Sequence, residues 1–442
     1  MTQPGEEHLK KILTPMMVWG LGVGYVISGM YFGWNLGLEQ GGTAGLAVAT
    51  FFIIILYVTF TFSYAELACA IPRAGGAFDY ARQAFGDHLG FIAGMAQNVE
   101  FIFAPPAIAL AIGAYFNLFF PALETLQIAV IAYLIFTLLN IYGVRAAARF
   151  ELIITILAVG ELLLFSAIAF TGFEYENLKQ NALPNGWKGA FAAIPFAIWF
   201  FLGIEGIANV AEEAVNPKRT VLLGFGSSIL TLVALCALTF VSSVGVGGWE
   251  AIVYKEDGTT SDSPLPLALS YITGADNLMY HLLITVGLFG LVASFHGLIL
   301  AAGRSTFEFG RVRFAPPFMG RIHSRFKTPA NALLVNMLVG IAALFTGRTG
   351  EIITLAVFGA LTLYIISMMS LLKLRRSEPE LHRPFVVPGY PWVPLAALFI
   401  SLISILALTF YNPVLACIYV VILAVSFLIF KVANSIAARK YR

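Results

Sequence analysis

The segment WGLGVGYVISGMYFGWN (residues 19–35) determines how the rest of this sequence is interpreted. It is apolar enough to cross a membrane, yet Ser28 and Gly29 lie at its middle and a polar-aromatic series follows them. A membrane helix that unwinds at such a point exposes backbone groups that can bind a solute. The segment therefore predicts a membrane helix with a functional interruption.

A second segment, IPFAIWFFLGIEGIAN (residues 194–209), has a matching interruption. Gly203 and Gly206 flank Glu205, a carboxylate at membrane depth. Burying an ionised acid against lipid costs about 2.5–3.5 kcal/mol or more. We therefore expect Glu205 to face a cavity and to act in transport; the alternative is that it only caps a broken helix.

The composition places this chain in a lipid bilayer. It has 442 residues, of which 59% are hydrophobic and 11% are charged, whereas soluble domains have about 25% charged residues. The net charge of +2 gives no reason to expect a nucleic acid partner, and no metal-ligand cluster or cofactor motif is visible. We predict twelve membrane helices, numbered in chain order: 17–38, 43–70, 90–120, 125–143, 150–172, 189–211, 221–247, 278–303, 329–347, 351–373, 392–411 and 413–433.

The two interrupted helices, 1 and 6, start five spans apart. This spacing indicates an all-α integral membrane protein with a five-plus-five inverted repeat, in which the broken helices meet at the solute site. The first repeat is predicted at 1–172 and the second at 189–373, followed by two extra helices at 392–433. We expect all of them to form one membrane domain, 1–442.

The basic residues predict the orientation. Among the 26 Lys and Arg residues, only four lie on the side opposite the termini: Lys179, Lys188, Lys255 and Arg348. Positive residues concentrate in cytoplasmic loops. We therefore expect a multi-pass protein of the plasma membrane with both termini in the cytoplasm.

Four loop motifs resemble those of a known family: AELACAIPRAGGAFDY (65–80), EEAVNPKR (212–219), RFKTP (325–329) and EPELHRPF (378–385). Together, in this order, they resemble the amino acid–polyamine–organocation transporter superfamily over nearly the whole chain. The resemblance implies the twelve-helix fold with the five-plus-five repeat and alternating access. It also implies a transporter that needs no ATP and performs no covalent chemistry, and hence not an enzyme.

Helix 1 suggests a branch within this family. Amino-acid carriers usually have Gly-Ser-Gly at the break, whose amides receive a substrate carboxylate, whereas this chain has Ser28-Gly29-Met30. Residues 27–38 instead resemble the ethanolamine permease branch, in which the position of Met30 often carries a carboxylate. The resemblance implies ethanolamine or a similar small amine as the substrate. The alternatives are a neutral amino-acid permease, against which Met30 argues, and an amine-sensing receptor.

The expected substrate site lies on helices 1, 3 and 6, and by the family resemblance Trp199 is the aromatic residue that closes over the solute. An alternative for Trp199 is a packing role in the core or against lipid, and Glu100 could instead be a protonated, hydrogen-bonded acid. The candidates are Ile27, Ser28, Gly29, Met30, Tyr31, Glu100, Phe103, Trp199, Leu202, Gly203 and Glu205.

Three residues are candidates for proton coupling: Glu161, Glu205 and His296. Several proton-coupled relatives have a lysine near the position of Ala158, and we expect Glu161 to be the only ionisable group inside helix 5. The alternatives are a protonated, hydrogen-bonded Glu161 and a core role for His296. Ser294 alone matches the sodium site of relatives weakly, so proton symport or exchange is expected. The expected partners are thus a small amine, membrane lipid and protons, and the oligomeric state stays open.

Overall fold

The computed structural model describes residues 13–73, 75–142, 147–275 and 277–440. Within these ranges the chain is helical, and its only β pairing consists of two isolated bridges. Nine of the described helices are long and apolar enough to cross a membrane, and two shorter apolar helices accompany them. The predicted all-α fold with interrupted helices 1 and 6 is confirmed.

Each of the twelve predicted spans corresponds to a helix or to a set of helical pieces. Their bounds, from helix 1 to helix 12, are Pro15–Val26 with Ser28–Tyr31, Leu36–Ala70, Asp87–Asn117, Thr125–Tyr142, Ala147–Ala169, Gly186–Ala192 with Ile194–Trp199 and Ile204–Glu213, Pro217–Gly247, Leu278–Arg311, Ala330–Leu344, Thr349–Ser377, Trp392–Tyr411 and Pro413–Lys440. The repeat boundaries at 1–172 and 189–373 stay predictions.

The start of helix 2 and the ends of helices 8 and 12 differ by more than a turn from the predicted positions. Helices 8 and 12 continue past residues 303 and 433, because a helix that leaves the membrane keeps its backbone hydrogen bonds while its side chains become polar. Helix 2 begins at Leu36, but Gly42 has non-helical angles, φ 63° and ψ −173°. Gly42 thus divides this helix, so residues 36–41 form the outer end of helix 1 and 43–70 match the predicted second span.

Short helices between the spans were not predicted. Ala77–Phe85 follows helix 2, and Trp249–Val253 and Pro264–Thr273 lie in the segment 248–277 between helices 7 and 8, which we call the outer loop. These helices have five to ten residues, which is too few to span a bilayer. A search for membrane-length apolar stretches therefore does not find them.

Two of the family motifs meet in space at the end of helix 2. Glu66 accepts two hydrogen bonds of 2.7 Å from the guanidinium group of Arg375 and one of 2.7 Å from the backbone N–H of Val387. Arg383 lies 3.5 Å from the same carboxylate. This buried carboxylate therefore joins helix 2, helix 10 and the segment before helix 11.

Candidate functional site

The interruptions of helices 1 and 6 face each other inside the molecule. Helix 1 ends at Tyr31, and the chain is extended at Phe32 before it becomes helical again at Leu36. Helix 6 is α-helical to Trp199, and it resumes as a 3-10 helix after Gly203, whose φ of 101° is left-handed. A side chain at that φ would be strained, so glycine at 203 allows the break.

The two breaks are in direct contact. A Cβ at position 29 would overlap the backbone carbonyl oxygen of Trp199, so Gly29 lets helix 1 approach helix 6. The indole N–H of Trp199 donates a 3.0 Å hydrogen bond to the carbonyl of Phe32. The rings of Trp199 and Phe32 also pack edge to face, with centroids 5.4 Å apart. Trp199 thus joins helix 6 to the break in helix 1.

Glu205 lies two residues after Gly203 and is almost fully buried. Its Oε2 accepts a 2.9 Å hydrogen bond from the hydroxyl of Tyr364 on helix 10, which lies 2.9 Å from the hydroxyl of Tyr57 on helix 2. The carboxyl group of Glu100 on helix 3 lies within hydrogen-bonding reach of Glu205. Four helices therefore bring two acids and two phenols together at the break in helix 6.

Tyr31 connects the break in helix 1 to helix 5. Its hydroxyl group lies 2.6 Å from Oε2 of Glu161 and 3.0 Å from the carbonyl of Ala158, and Tyr115 donates a 3.1 Å hydrogen bond to the Tyr31 carbonyl. A cavity of about 10 Å³ lies beside Glu161, and the outer-loop helix that contains Pro266 forms part of its wall. Glu161 therefore touches helix 1 on the side of the outer loop.

Two N–H groups of the helix 1 triplet, those of Ser28 and Met30, are already hydrogen bonded. The N–H of Ser28 donates to the Ser294 hydroxyl over 2.9 Å, and that hydroxyl donates to the carbonyl of Gly24 over 2.6 Å. The N–H of Met30 donates to the carbonyl of Ile27 over 3.0 Å. Ser294 on helix 8 thus holds two residues of helix 1 that precede the break.

The remaining candidates differ in their surroundings. Ile27, Met30 and Leu202 are buried beside the two breaks. Phe103 is half-buried and packs against the main apolar core. Its contact with a solute stays a prediction.

His296 has a buried acid as its neighbour. Its Nδ1 lies 3.4 Å from Oε2 of Glu151, which is on helix 5. The expectation that Glu161 is the only ionisable group inside helix 5 was therefore wrong. Glu151 lies at the edge of its span, where an acid is easily assigned to the surface, but the close approach of helices 1 and 8 buries it.

Sequence reasoning also missed Tyr57, Tyr115 and Tyr364. Each is a fully buried tyrosine whose hydroxyl group takes part in a hydrogen bond at the site. A phenol in the middle of an apolar span is a detectable signal, because its hydroxyl needs a partner inside the membrane. The chain has 17 tyrosines, however, and the sequence does not say which of them converge.

Comparison with known proteins agrees with this architecture. The amino acid permease family model matches residues 13–432. An uncharacterized transporter of Rhizobium meliloti is 28% identical, over 88% of this chain and 84% of its own length. A methylthioribose transporter of Bacillus subtilis is 26% identical, over 89% and 87%. A branched-chain amino acid permease of the same species is 24% identical, over 91% and 89%.

The match extends from the start of the described chain into helix 12, and it includes both interrupted helices and all four loop motifs. The family resemblance inferred from the motifs is thereby confirmed at the level of the superfamily. The protein is a multi-pass membrane transporter and belongs to the amino acid permease family.

Proposed function

We propose that this protein is a secondary transporter of the plasma membrane that carries a small protonated amine by alternating access, with ethanolamine as its substrate and with proton symport or exchange. The observation that carries the proposal is the pair of carboxyl groups, Glu100 and Glu205, at the break in helix 6. Both are buried by at least 99% of their surface. Two neighbouring carboxylates in an apolar interior cannot both stay ionised without a compensating cation.

A primary ammonium group matches the unused hydrogen-bonding capacity of this pair. Tyr364 donates a hydrogen bond to Oε2 of Glu205. Apart from contact between the two acids, Oε1 of Glu205 and both oxygens of Glu100 accept no hydrogen bond from the described residues. An ammonium group has three N–H donors. A proton shared by the two acids would provide the compensation when the amine leaves.

The break in helix 1 supports an amine without a carboxylate. The N–H groups of Ser28 and Met30 are occupied by Ser294 and Ile27, so a substrate carboxylate would have to displace these partners to bind those two amides. Ethanolamine has no carboxylate, and its hydroxyl group is satisfied by a carbonyl or a phenol. Tyr57 and Tyr364 supply phenol groups beside Glu205.

A neutral amino acid is the second candidate. A branched-chain amino acid permease of Bacillus subtilis shares 24% identity with this chain, and a glutamate/serine transporter of the same species shares 26%. Such a substrate would use the same two acids for its ammonium group. It would also need the helix 1 amides for its carboxylate.

The test is counterflow of labelled ethanolamine into proteoliposomes that contain the purified protein. We expect Glu205→Gln and Glu100→Gln to lower the transport rate at limiting substrate by about 10- to 100-fold, since a hydrogen bond to a charged group is worth about 1.5–3 kcal/mol. Glu351→Gln is the matched control, because Glu351 is 47% exposed and pairs with Arg348 at the surface. Parental rates in both buried variants would refute the amine site. Stronger competition by unlabelled alanine than by ethanolamine would select the amino-acid alternative.

A further inference from the structure

We infer that Glu151 and His296 form the proton-binding site that couples solute transport to proton movement, apart from the acids proposed to hold the amine. The inference rests on the proposed function and adds to it the site of the driving ion. The pair joins helix 5 to helix 8 across 3.4 Å, and its carboxylate and imidazole side chains are 2% and 9% exposed.

The pair touches the inner half of helix 1 just before its break. A Cβ at position 24 would lie 2.6 Å from Oε1 of Glu151, so glycine at this position lets helix 1 approach the carboxylate closely. Ser294, two residues before His296, donates its hydroxyl to the carbonyl of the same Gly24. Helices 5 and 8 thus hold one residue of the segment Pro15–Val26 from two sides, and a change in charge at the pair acts directly on this segment.

The charge balance favours one bound proton. With one proton the pair is neutral overall, either as carboxylate and imidazolium or as carboxylic acid and imidazole. Without a proton it carries one negative charge, and with two protons one positive charge, and a buried charge without a partner costs several kcal/mol. Oε1 of Glu151 accepts no hydrogen bond from the described residues, so no second group relieves that cost. The proton is therefore released only when the site opens to water.

The helices packed around His296 present other titratable groups, namely Tyr25, Glu100, Tyr133, Glu161, Glu213 and Arg304. The acids among them are already engaged. Glu213 pairs with Arg304 at 2.9 Å, and Glu161 bonds to Tyr31 at 2.6 Å. Glu100 faces Glu205. Helix 4 contributes an uncharged amide, that of Asn140, to the His296 carbonyl.

The position of the pair suits a coupling role. In alternating access one part of the helix bundle rocks against another around a fixed solute site. Opening of the cytoplasmic side by movement of Pro15–Val26 would remove Gly24 from Glu151 and admit water to the carboxylate. Release of the proton would then accompany release of the solute on the same side.

The test uses purified full-length protein in proteoliposomes and compares the parent with Glu151→Gln, His296→Gln and His281→Gln. His281 is the matched control, since it lies on the same helix about four turns away and packs against Phe119 with ring centroids 5.6 Å apart. Two quantities are measured: counterflow of labelled ethanolamine at equal pH, and acidification of a trapped pH dye on addition of ethanolamine. Empty vesicles correct for diffusion of the free base, and size-exclusion profiles check folding.

In the parent and His281→Gln we expect both signals. Glu151→Gln and His296→Gln should keep counterflow while their acidification falls to that of empty vesicles. The inference is overturned if either variant acidifies like the parent, if the folded variants lose counterflow as well, or if the parent itself moves solute without protons. The last result leaves the amine transport intact, so the two proposals fail separately. Counterflow of labelled alanine, measured in the same way, detects a parent protein that carries an amino acid instead. A parent protein that exchanges neither ethanolamine nor alanine overturns both proposals.

Discussion

Trp199 shows what one side chain does at the centre of this molecule. It is 2% exposed, it is the last residue of the α-helical part of helix 6, and its N–H is bonded to the chain of helix 1. Its backbone carbonyl lies against Gly29, which is also on helix 1. One residue therefore makes both a polar and a steric contact between the two breaks.

The hydrogen bond of Trp199 can be removed without removing its ring. Trp199→Phe deletes the donor to Phe32, and we expect uptake of limiting ethanolamine to fall several-fold, since the bond contributes about 0.5–1.5 kcal/mol. Trp249→Phe is the matched control, because the indole of Trp249 also donates a 3.0 Å bond to a backbone carbonyl, that of Asn181 between helices 5 and 6. Initial uptake rates in proteoliposomes measure the difference. Equal rates in the two variants would remove the gate role from Trp199.

At the scale of helices, the packing is completed by ionic contacts at the ends of the spans. Arg375 at the end of helix 10 and Arg383 after it both approach Glu66 at the end of helix 2. Glu66 is fully buried, whereas Arg375 is 19% exposed. The carboxylate is therefore compensated within the protein, and its partners fix the relative positions of helices 2 and 10.

We expect Glu66→Gln to lower the stability of the protein by about 3–5 kcal/mol, the usual cost of breaking a buried ion pair from one side. Glu176→Gln serves as the control, since Glu176 is 74% exposed and pairs with Lys179 at 2.8 Å. Its loss should cost under about 1 kcal/mol. Thermal unfolding in detergent compares both variants with the parent in a Cys417→Ser background, since Cys417 is exposed, and is followed with a dye that reacts with the buried Cys69 and Cys236. Unfolding of both at the same temperature would show that Glu66 contributes no more than a surface acid.

The sequence predicts the helices better than it predicts their meeting points. The positions of the spans follow from apolar length alone, and Gly203 signals the break in helix 6 because glycine tolerates a left-handed φ. The proximity of Glu100 to Glu205 and the burial of Glu151 depend on helices that are distant in the sequence. No local pattern encodes such contacts, so Glu100 and Glu205 were recognised as candidates, while their contact and the buried Glu151 were not.

At the scale of the whole molecule, the distribution of charge predicts the orientation. Three of the basic residues counted on the outer side lie in connecting segments. Lys179 lies between helices 5 and 6, Lys255 between helices 7 and 8, and Arg348 between helices 9 and 10. The arginine contacts of Glu66 and Glu213 lie at the opposite ends of their helices. The excess of positive charge on that second face favours a cytoplasmic location for it.

Single cysteines test this orientation. Thr259 in the outer loop and Ser324 between helices 8 and 9 are both exposed, and the background carries Cys417→Ser because Cys417 is exposed as well. We expect a membrane-impermeant maleimide to label Thr259→Cys in intact cells and Ser324→Cys only in opened membranes. The reverse pattern would place both termini outside.

The Glu66 contacts also determine an order of events during biosynthesis. Glu66 and Arg375 are 309 residues apart in the chain, so at roughly 5–20 residues per second the acid leaves the ribosome about 15–60 s before its first partner. During that time the carboxylate has to stay in contact with water, and this end of helix 2 cannot be packed permanently. A nascent chain that stops before Arg375 would keep this acidic end open, which gives membrane proteases a means to distinguish unfinished chains from complete ones.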